Sequence, residues 1–158
     1  MIVLGVDPGL ALTGWGLVAA TGRNDLSMVK YGCIKTTPAQ ALTERLKTIH
    51  CTLQQIIEEN RPQEMAIEEL FFSKEARTVA AVGQARGAIL VTAALANLPV
   101  FEYNPRQIKM SLTGYGSADK NQIQHMVKML LRLRDIPRPD DAADAIAMAV
   151  CHLHTRKW

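Results

Sequence analysis

The sequence predicts one α/β domain, residues 1–158, with a five-stranded mixed sheet flanked by helices in the order βββαβαβαα. The chain opens with the short apolar run IVLGV (residues 2–6), which is typical of a strand buried on both faces. Two further strand-like stretches follow, separated by the turn-rich TGRND, and they favour an antiparallel meander. Segments of helical periodicity then alternate with short strands, as in a sheet covered by helices. The length of 158 residues fits a single domain.

The five strands are predicted from apolar or alternating runs that end at turn residues. Asp7-Pro8-Gly9 ends the first run in a turn. The predicted strands cover residues 2–6, 12–20, 26–36, 64–69 and 99–103. If the first and fourth strands are parallel neighbours, the residues that end them emerge at one edge of the sheet.

The helices are predicted from capping residues and from apolar residues at 3.6-residue spacing. Thr37 is expected to cap the first helix, because Pro38 suits the first helical position and Gln40 completes a capping-box spacing. This helix ends before Pro62. The later helices are a long alanine-rich one from Ser73 to about Asn97, a short one over 105–112, one over 119–131 after a capping Ser117, and a last one within 138–150.

The composition indicates a globular protein that works in water. Hydrophobic residues make up 48% and charged residues 21% of the chain, so a compact core is expected and a disordered chain is not. The net charge of +3 hints only weakly at an acidic partner. Three scattered cysteines, Cys33, Cys51 and Cys151, exclude a disulfide scaffold or zinc ribbon and favour the reducing cytoplasm. Residues 78–98 are long enough to cross a membrane, but Arg86 within them favours a helix packed inside a protein.

Carboxylates are predicted to meet at one edge of the sheet. Asp7 ends the first strand, and Glu68 and Glu69 lie near the end of the fourth. Side chains alternate along a strand, so only one of these two glutamates can join Asp7, and spacing alone does not choose between them. Asp141 and Asp144 are three residues apart and share a helix face. Ligand sites of open α/β sheets lie at this edge, where four carboxylates can converge.

Each acid also has a structural interpretation that stays open at this point. Asp7 can be a turn residue before Pro8, and Asp140 can be the N-cap of the last helix. Asp141 can complement the helix dipole, and Asp144 can lie on a solvated face.

Converging carboxylates favour a bound divalent cation. Like charges within a few ångströms raise one another's pKa, and proteins accept this cost mainly at functional sites. Oxygen ligands without His or Cys favour Mg²⁺ or Mn²⁺ over Zn²⁺. Two such ions about 3.5–4 Å apart are typical of nucleases.

Six short motifs resemble one family. The chain is similar to the RuvC-type Holliday-junction resolvases, which are crossover-junction endodeoxyribonucleases, from about residue 1 to residue 154. The motifs occur in the family's order and read LGVDPGLALTGWG, AIEELFF, GQARGAI, PVFEYNPRQIK, GSADKNQIQHMVKMLL and DAADAIAMAVCHLH. The resemblance implies a ribonuclease-H-like fold.

The resemblance also implies the site residues. Asp7 matches the family's first-strand aspartate, Glu68 rather than Glu69 matches the glutamate of IEE, and Asp141 and Asp144 match the pair in DAAD. These four are expected to be both catalytic residues and ligands of two Mg²⁺ ions, for which Mn²⁺ can substitute. The implied reaction is phosphodiester hydrolysis that leaves a 5′-phosphate and a 3′-hydroxyl.

The segment before the last motif is basic. Residues 106–138 carry seven basic and two acidic side chains, an excess of five, against +3 for the whole chain. Such a zone suits phosphate binding, although a solvated helix face is a common alternative. The resemblance implies that Lys109 and Lys120 contact phosphate at the active site. It also implies that Phe71 stacks on bases at the junction centre, and Phe72 is a second candidate for this role or a core residue.

The remaining expectations concern partners. His152 and His154 are interpreted as structural, because two residues apart on a helix they point to different sides. Symmetrical cutting of two strands implies a two-fold homodimer. The candidate interface is the helix from Ser73, whose small residues permit close helix contact: Gly83, Ala85, Gly87 and Ala88. The resemblance adds four-way junction DNA and the branch-migration proteins RuvA and RuvB as partners, and no membrane.

Two alternative functions stay open. DPGLALTG also resembles the phosphate loop of actin-like kinases and ATPases, although those need two such domains. The other is a junction-binding protein that keeps the fold without catalysis, which the presence of all four carboxylates argues against.

Overall fold

The computed structural model describes residues 1–22, 25–69 and 76–156. Within them the order is βββαβαβααα, and the three helices after the last strand correspond to those predicted over 105–112, 119–131 and 138–150, of which the predicted order βββαβαβαα counted only two. The strands are Ile2–Asp7 (β1), Leu12–Gly22 (β2), Asp25–Lys35 (β3), Glu64–Glu68 (β4) and Val100–Tyr103 (β5). The helices are Leu42–Asn60 (α1), Ala76–Leu95 (α2), Pro105–Thr113 (α3), Lys120–Leu130 (α4) and Asp140–Thr155 (α5).

The strands form one mixed sheet in the order β3-β2-β1-β4-β5. The β1–β2 and β2–β3 pairs are antiparallel, whereas β4 runs parallel to both β1 and β5. The predicted five-stranded mixed sheet and its opening meander are thus confirmed, and the condition that the first and fourth strands be parallel neighbours is met.

Strand alternation divides the core into two layers on opposite faces of the sheet. Leu4, Val6 and Ile67 pack with α1 and α2 on one face. Val3 and Ala66 pack with α3, α4 and α5 on the other, which we call the α5 face. Asp7 and Glu68 follow Val3 and Ala66 at even spacing, so strand alternation places them on the α5 face.

Helix α5 lies in backbone contact with β1 and β2 because glycines leave room for it. A Cβ placed on Gly5 would lie 1.9 Å from the carbonyl oxygen of Ala145, and one on Gly14 would lie 2.0 Å from that of Asp141. Gly14 is the register partner of Asp7 across β1 and β2. The first turn of α5 is therefore held beside the end of β1.

The predicted starts of the first and fourth helices are wrong, although Thr37 and Gln40, which predicted the first, do form a hydrogen bond. Helix α1 begins at Leu42 after an extended Ala41 (φ −59°, ψ 147°), not after Thr37. The backbone N–H of Thr37 donates to Gln40 Oε1 (2.9 Å) within a separate turn. Asp119, not Ser117, caps α4, because its carboxylate accepts from the N–H of Gln122 and forms a complete capping box.

The cap assigned to Asp140 is also wrong. Pro139 occupies the N-cap position of α5, and Asp140 is the first helical residue. Its carboxylate pairs with Arg138 (2.5 Å) and Lys120 (3.3 Å) instead of a backbone N–H.

The predicted start of α2 at Ser73 lies outside the described residues. No helix in the described ranges is long and apolar enough to span a membrane.

Candidate active site

Two acids stand side by side where parallel strands β1 and β4 end. Val6 is the register partner of Ile67, so the next residues, Asp7 and Glu68, leave the sheet together on the α5 face. Glu69 follows on the opposite face, and its backbone N–H donates to the carbonyl of Tyr103 (2.9 Å). Strand geometry thus places Glu68, and not Glu69, beside Asp7.

Helix α5 brings Asp144 to the same place. Asp7, Glu68 and Asp144 line one cleft of about 230 Å³ together with Lys109 and Lys120. The remaining wall is mostly apolar and comes from α3, α4 and α5: Pro105, Ile108, Ile123, Ala147 and Met148. Carboxylates and ammonium groups therefore share a partly apolar pocket, where charges interact more strongly than in water.

Asp141 lies at the margin of this group. It does not line the cleft, but its charge helps to raise the pKa of Asp7. The charge of Asp141 also acts on β3, where burial and this charge raise the pKa of the Cys33 thiol. The structure thus places three of the four predicted acids in the cleft and the fourth within electrostatic reach of it.

The acids resist joint ionisation. Burial, followed by the charges of Asp144, Glu68 and Asp141, raises the pKa of Asp7 to about 8. Burial and the charge of Asp144 raise the pKa of Glu68, and burial also raises the pKa of Asp144 against the opposing contact with Lys120. At neutral pH, full ionisation of this cluster needs additional positive charge.

Lys120 supplies part of that charge. As the first residue of α4, it places its Nζ 3.2 Å from Asp144 Oδ2 and 3.3 Å from Asp140 Oδ2. Burial lowers the pKa of Lys120, but the contacts with Asp144 and Asp140 outweigh this effect and raise it. Because the Lys120 side chain is 53% exposed, these pairs stabilise the fold only modestly.

The donor set fits a hard divalent cation, although its members are not gathered around one point. Among the described residues, no three His, Cys, Asp or Glu side chains lie close enough together to hold an ion as they stand. Asp144 is engaged by Lys120. All donors of the cleft are carboxylate oxygens, which suit Mg²⁺ or Mn²⁺, and such an ion would relieve the repulsion that raises the pKa of Asp7.

The structure locates two of the four predicted DNA contacts, the lysines, within the described residues. Lys109 and Lys120 both line the cleft, so their ammonium groups can meet a phosphate beside the acids. Phe71 and Phe72 lie outside the described residues. His152 is buried, with Nδ1 bonded to the Tyr103 hydroxyl (2.7 Å) and Nε2 to Glu64 (2.5 Å). These contacts support its structural interpretation.

Sequence reasoning missed the glycines that shape the site. Gly5, Gly14 and Gly16 line the β1–β2 surface against which α5 packs. Their signal was visible as every-second-residue glycines in LTGWG and as the glycine of IVLGV. Glycine inside a strand often marks the close approach of another backbone, which is what α5 makes here.

Comparisons with known proteins agree with this geometry. The family model described as crossover junction endodeoxyribonuclease RuvC matches residues 3–152. A crossover junction endodeoxyribonuclease RuvC of Endomicrobium trichonymphae is 57% identical over 158 residues, which cover the whole of this chain and 83% of that relative.

Solved structures show the same fold. RuvC of T. thermophilus, in complex with a Holliday junction substrate, superposes with a TM-score of 0.93 at 38% identity, over 96% of this chain and 92% of that one. The yeast mitochondrial Holliday junction resolvase Ydc2 has a TM-score of 0.64 at 13% identity, over 96% of this chain and 78% of that one, and supports the fold alone. The predicted ribonuclease-H-like fold class is confirmed.

Proposed function

Because the chain belongs to the RuvC family of crossover junction endodeoxyribonucleases, we propose that it resolves four-way (Holliday) DNA junctions by paired symmetrical nicks. This activity serves homologous recombination and DNA repair. The observation that carries the proposal is the cleft in which Asp7, Glu68 and Asp144 meet Lys109 and Lys120. Family membership also removes the kinase and ATPase alternative.

The four acids are the proposed metal ligands. Asp7, on which the charges of Glu68, Asp141 and Asp144 all act, would hold the ions together with these acids. Two Mg²⁺ ions, or Mn²⁺ in their place, would supply the Lewis acidity that activates water and stabilises the leaving 3′ oxygen. The remaining acids would complete the coordination and hold the ions against the phosphodiester.

Lys109 and Lys120 are the proposed phosphate contacts. Lys120 holds Asp144 through an ion pair in which the lysine side chain is 53% exposed, so water offsets much of the loss when the pair opens. A ligated Asp144 would leave the Lys120 ammonium available for the DNA backbone. Phe71 and Phe72 are proposed, by family resemblance, to stack on unpaired bases at the junction.

A two-fold homodimer would present two sites to the two strands that are cut. Helix α2 supports this proposal through Val91 and Leu95, which are 57% and 70% exposed. Gly87 is also open to solvent, whereas Ala85 packs in this chain's own core and cannot serve a second copy. Proposed partners beyond a second copy are RuvA and RuvB, and the proposed location is the cytoplasm.

The test is cleavage of a synthetic mobile four-way junction beside a linear duplex of the same sequence, in Mg²⁺, Mn²⁺ or EDTA. Paired symmetrical nicks in the junction alone, dependent on the divalent ion and leaving ends that ligase seals, are expected. Tight junction binding without cleavage in either ion, across varied junction sequences, would instead identify a binding protein.

A further inference from the structure

Arg86 connects helix α2 to the strand end that carries Glu68. Its side chain is only 14% exposed and reaches the sheet from the face opposite the cleft. Nε donates to the backbone carbonyl of Glu68 (3.3 Å), and Nη2 pairs with Glu102 Oε2 (2.5 Å). The sequence pattern GQARG that contains Arg86 had no assigned role beyond its small residues.

These contacts lie at the end of β4, where β5 still pairs with this strand but β1 no longer does. The β1–β4 register ends at Val6 and Ile67, one residue before Glu68. On the other side, β4 pairs with β5 up to its last residue: Ile67 is the register partner of Glu102, and Glu68 is that of Tyr103. Beyond the point at which β1 holds it, the last residue of β4 is thus held by β5 on one side and, through its carbonyl, by Arg86.

The backbone of Glu68 determines where its carboxylate points. Strand geometry sends this side chain to the α5 face, toward Asp7 and Asp144, while Arg86 holds the carbonyl from the other side. A rotation of the peptide at this strand end would turn the carboxylate out of the cleft. The planar guanidinium suits the task because its fork can serve a carbonyl and a carboxylate together.

We propose that Arg86 is a positioning residue for metal binding, which acts by fixing the strand end that presents Glu68 to the cleft. The inference rests on the proposed function and deepens it by adding a residue outside the cleft. Partners that orient metal ligands typically change metal affinity by about 10–100-fold when they are mutated. A residue that only tied α2 to the sheet would change stability and leave metal affinity unaltered.

The test compares Arg86→Lys and Arg86→Gln with the wild-type chain. Mn²⁺ binding, measured by electron paramagnetic resonance without DNA, is expected to weaken by about 10-fold in both variants. The Mg²⁺ concentration for half-maximal junction cleavage should rise by a similar factor, and saturating Mg²⁺ should restore most of the rate. Junction binding in Ca²⁺ should stay at the wild-type level, because Arg86 does not line the cleft.

Arg45→Lys is the matched control. Arg45 is another half-buried arginine, and its Nε donates to Thr36 Oγ1 (2.8 Å) beside α1. Its substitution should leave Mn²⁺ affinity unchanged. Folded Arg86 variants with wild-type Mn²⁺ affinity would overturn the inference. If neither variant folds, Glu102→Ala decides the question, because it removes the carboxylate that anchors the Arg86 guanidinium. Weaker Mn²⁺ binding supports the inference, and unchanged binding contradicts it.

Failure of the proposed function has a separate signature. A wild-type chain that binds Mn²⁺ through Arg86-dependent ligands but does not cut junctions would refute the resolvase activity alone. A wild-type chain that cuts junctions while the Arg86 variants bind Mn²⁺ normally would refute the positioning role alone.

Discussion

Substitution of Gly14 by alanine tests whether the contact between α5 and β2 sets the geometry of the acids. The new Cβ would lie 2.0 Å from the carbonyl oxygen and 2.3 Å from the carbonyl carbon of Asp141. Both atoms belong to the backbone of α5, so no side-chain rotation can relieve the overlap. The start of α5 must move away from β2 and carry Asp141 and Asp144 with it.

The size of the effect follows from the overlap. Ordinary van der Waals contact begins at 3.4 Å, so the Cβ is about 1.4 Å too close. A shift on the order of 1 Å in a catalytic group can cost about 100-fold in rate. Overpacking of this kind destabilises a fold by about 1–3 kcal/mol, which a domain with typical stability survives. We therefore expect Gly14→Ala to fold and to cleave junctions about 100-fold more slowly.

The assay is single-turnover junction cleavage at saturating Mg²⁺, with urea unfolding of the same preparations. Gly22→Ala is the matched control on the same strand, because nothing lies within 4 Å of its Cβ, and it should keep the wild-type rate. Gly16→Ala should lose less than Gly14→Ala, since its Cβ meets the flexible Ile146 side chain first, at 2.5 Å. A Gly14→Ala variant with wild-type cleavage would refute the argument that backbone contact positions the acids.

Three further predictions concern charge. Asp7→Asn should abolish cleavage but retain junction binding. The pKa of Asp7 is about 8 in the folded state against 3.8 ordinarily, so its ionisation favours the unfolded chain. In EDTA, the free energy of unfolding of the wild-type chain should therefore fall as pH rises from about 4 to 8. Urea titrations should show that Asp7→Asn lacks this part of the fall. Lys120→Ala should slow cleavage and flatten its dependence on NaCl while barely changing Tm; an unchanged rate and salt dependence would mean that this charge faces away from DNA. Burial raises the pKa of Glu64, but hydrogen bonds from His152 and Arg156 outweigh this effect and lower the pKa. Glu64→Gln should therefore lower the free energy of unfolding by about 1–3 kcal/mol at pH 7, and by less as pH falls through the folded-state pKa of the carboxyl group. An equal loss at pH 3 and pH 7 would contradict this account.

Local patterns were enough to predict the sheet and the acids that border it. The apolar run IVLGV followed by Asp7-Pro8-Gly9 predicts a buried strand with a carboxylate at its end, and the structure has Ile2–Asp7 as β1. The predicted strand 64–69 corresponds to β4, Glu64–Glu68. These features depend on neighbours in the chain, so periodicity and turn residues reveal them.

Helix starts were harder to predict because several residues near each start can act as the cap. Ser117 and Asp119 are both suitable by type, and the choice of Asp119 depended on Gln122 completing the capping box. Asp140 is a good cap by type, yet Lys120 from another helix engages its carboxylate. A local pattern cannot weigh a partner that arrives through tertiary packing.

The sequence by itself determined which acids the strands and the last helix carry, because apolar runs, alternation and turn residues are local properties of the chain. Only the tertiary structure decided that Lys120 lies against Asp144, that Asp141 stands at the margin of the cleft, and that Arg86 reaches the carbonyl of Glu68 from the opposite face. Such contacts join residues that are far apart in the chain. They form only when α5 packs closely against the glycines of the sheet and α2 packs on the opposite face. Packing of this kind depends on the shapes of whole faces, which no single stretch of sequence contains.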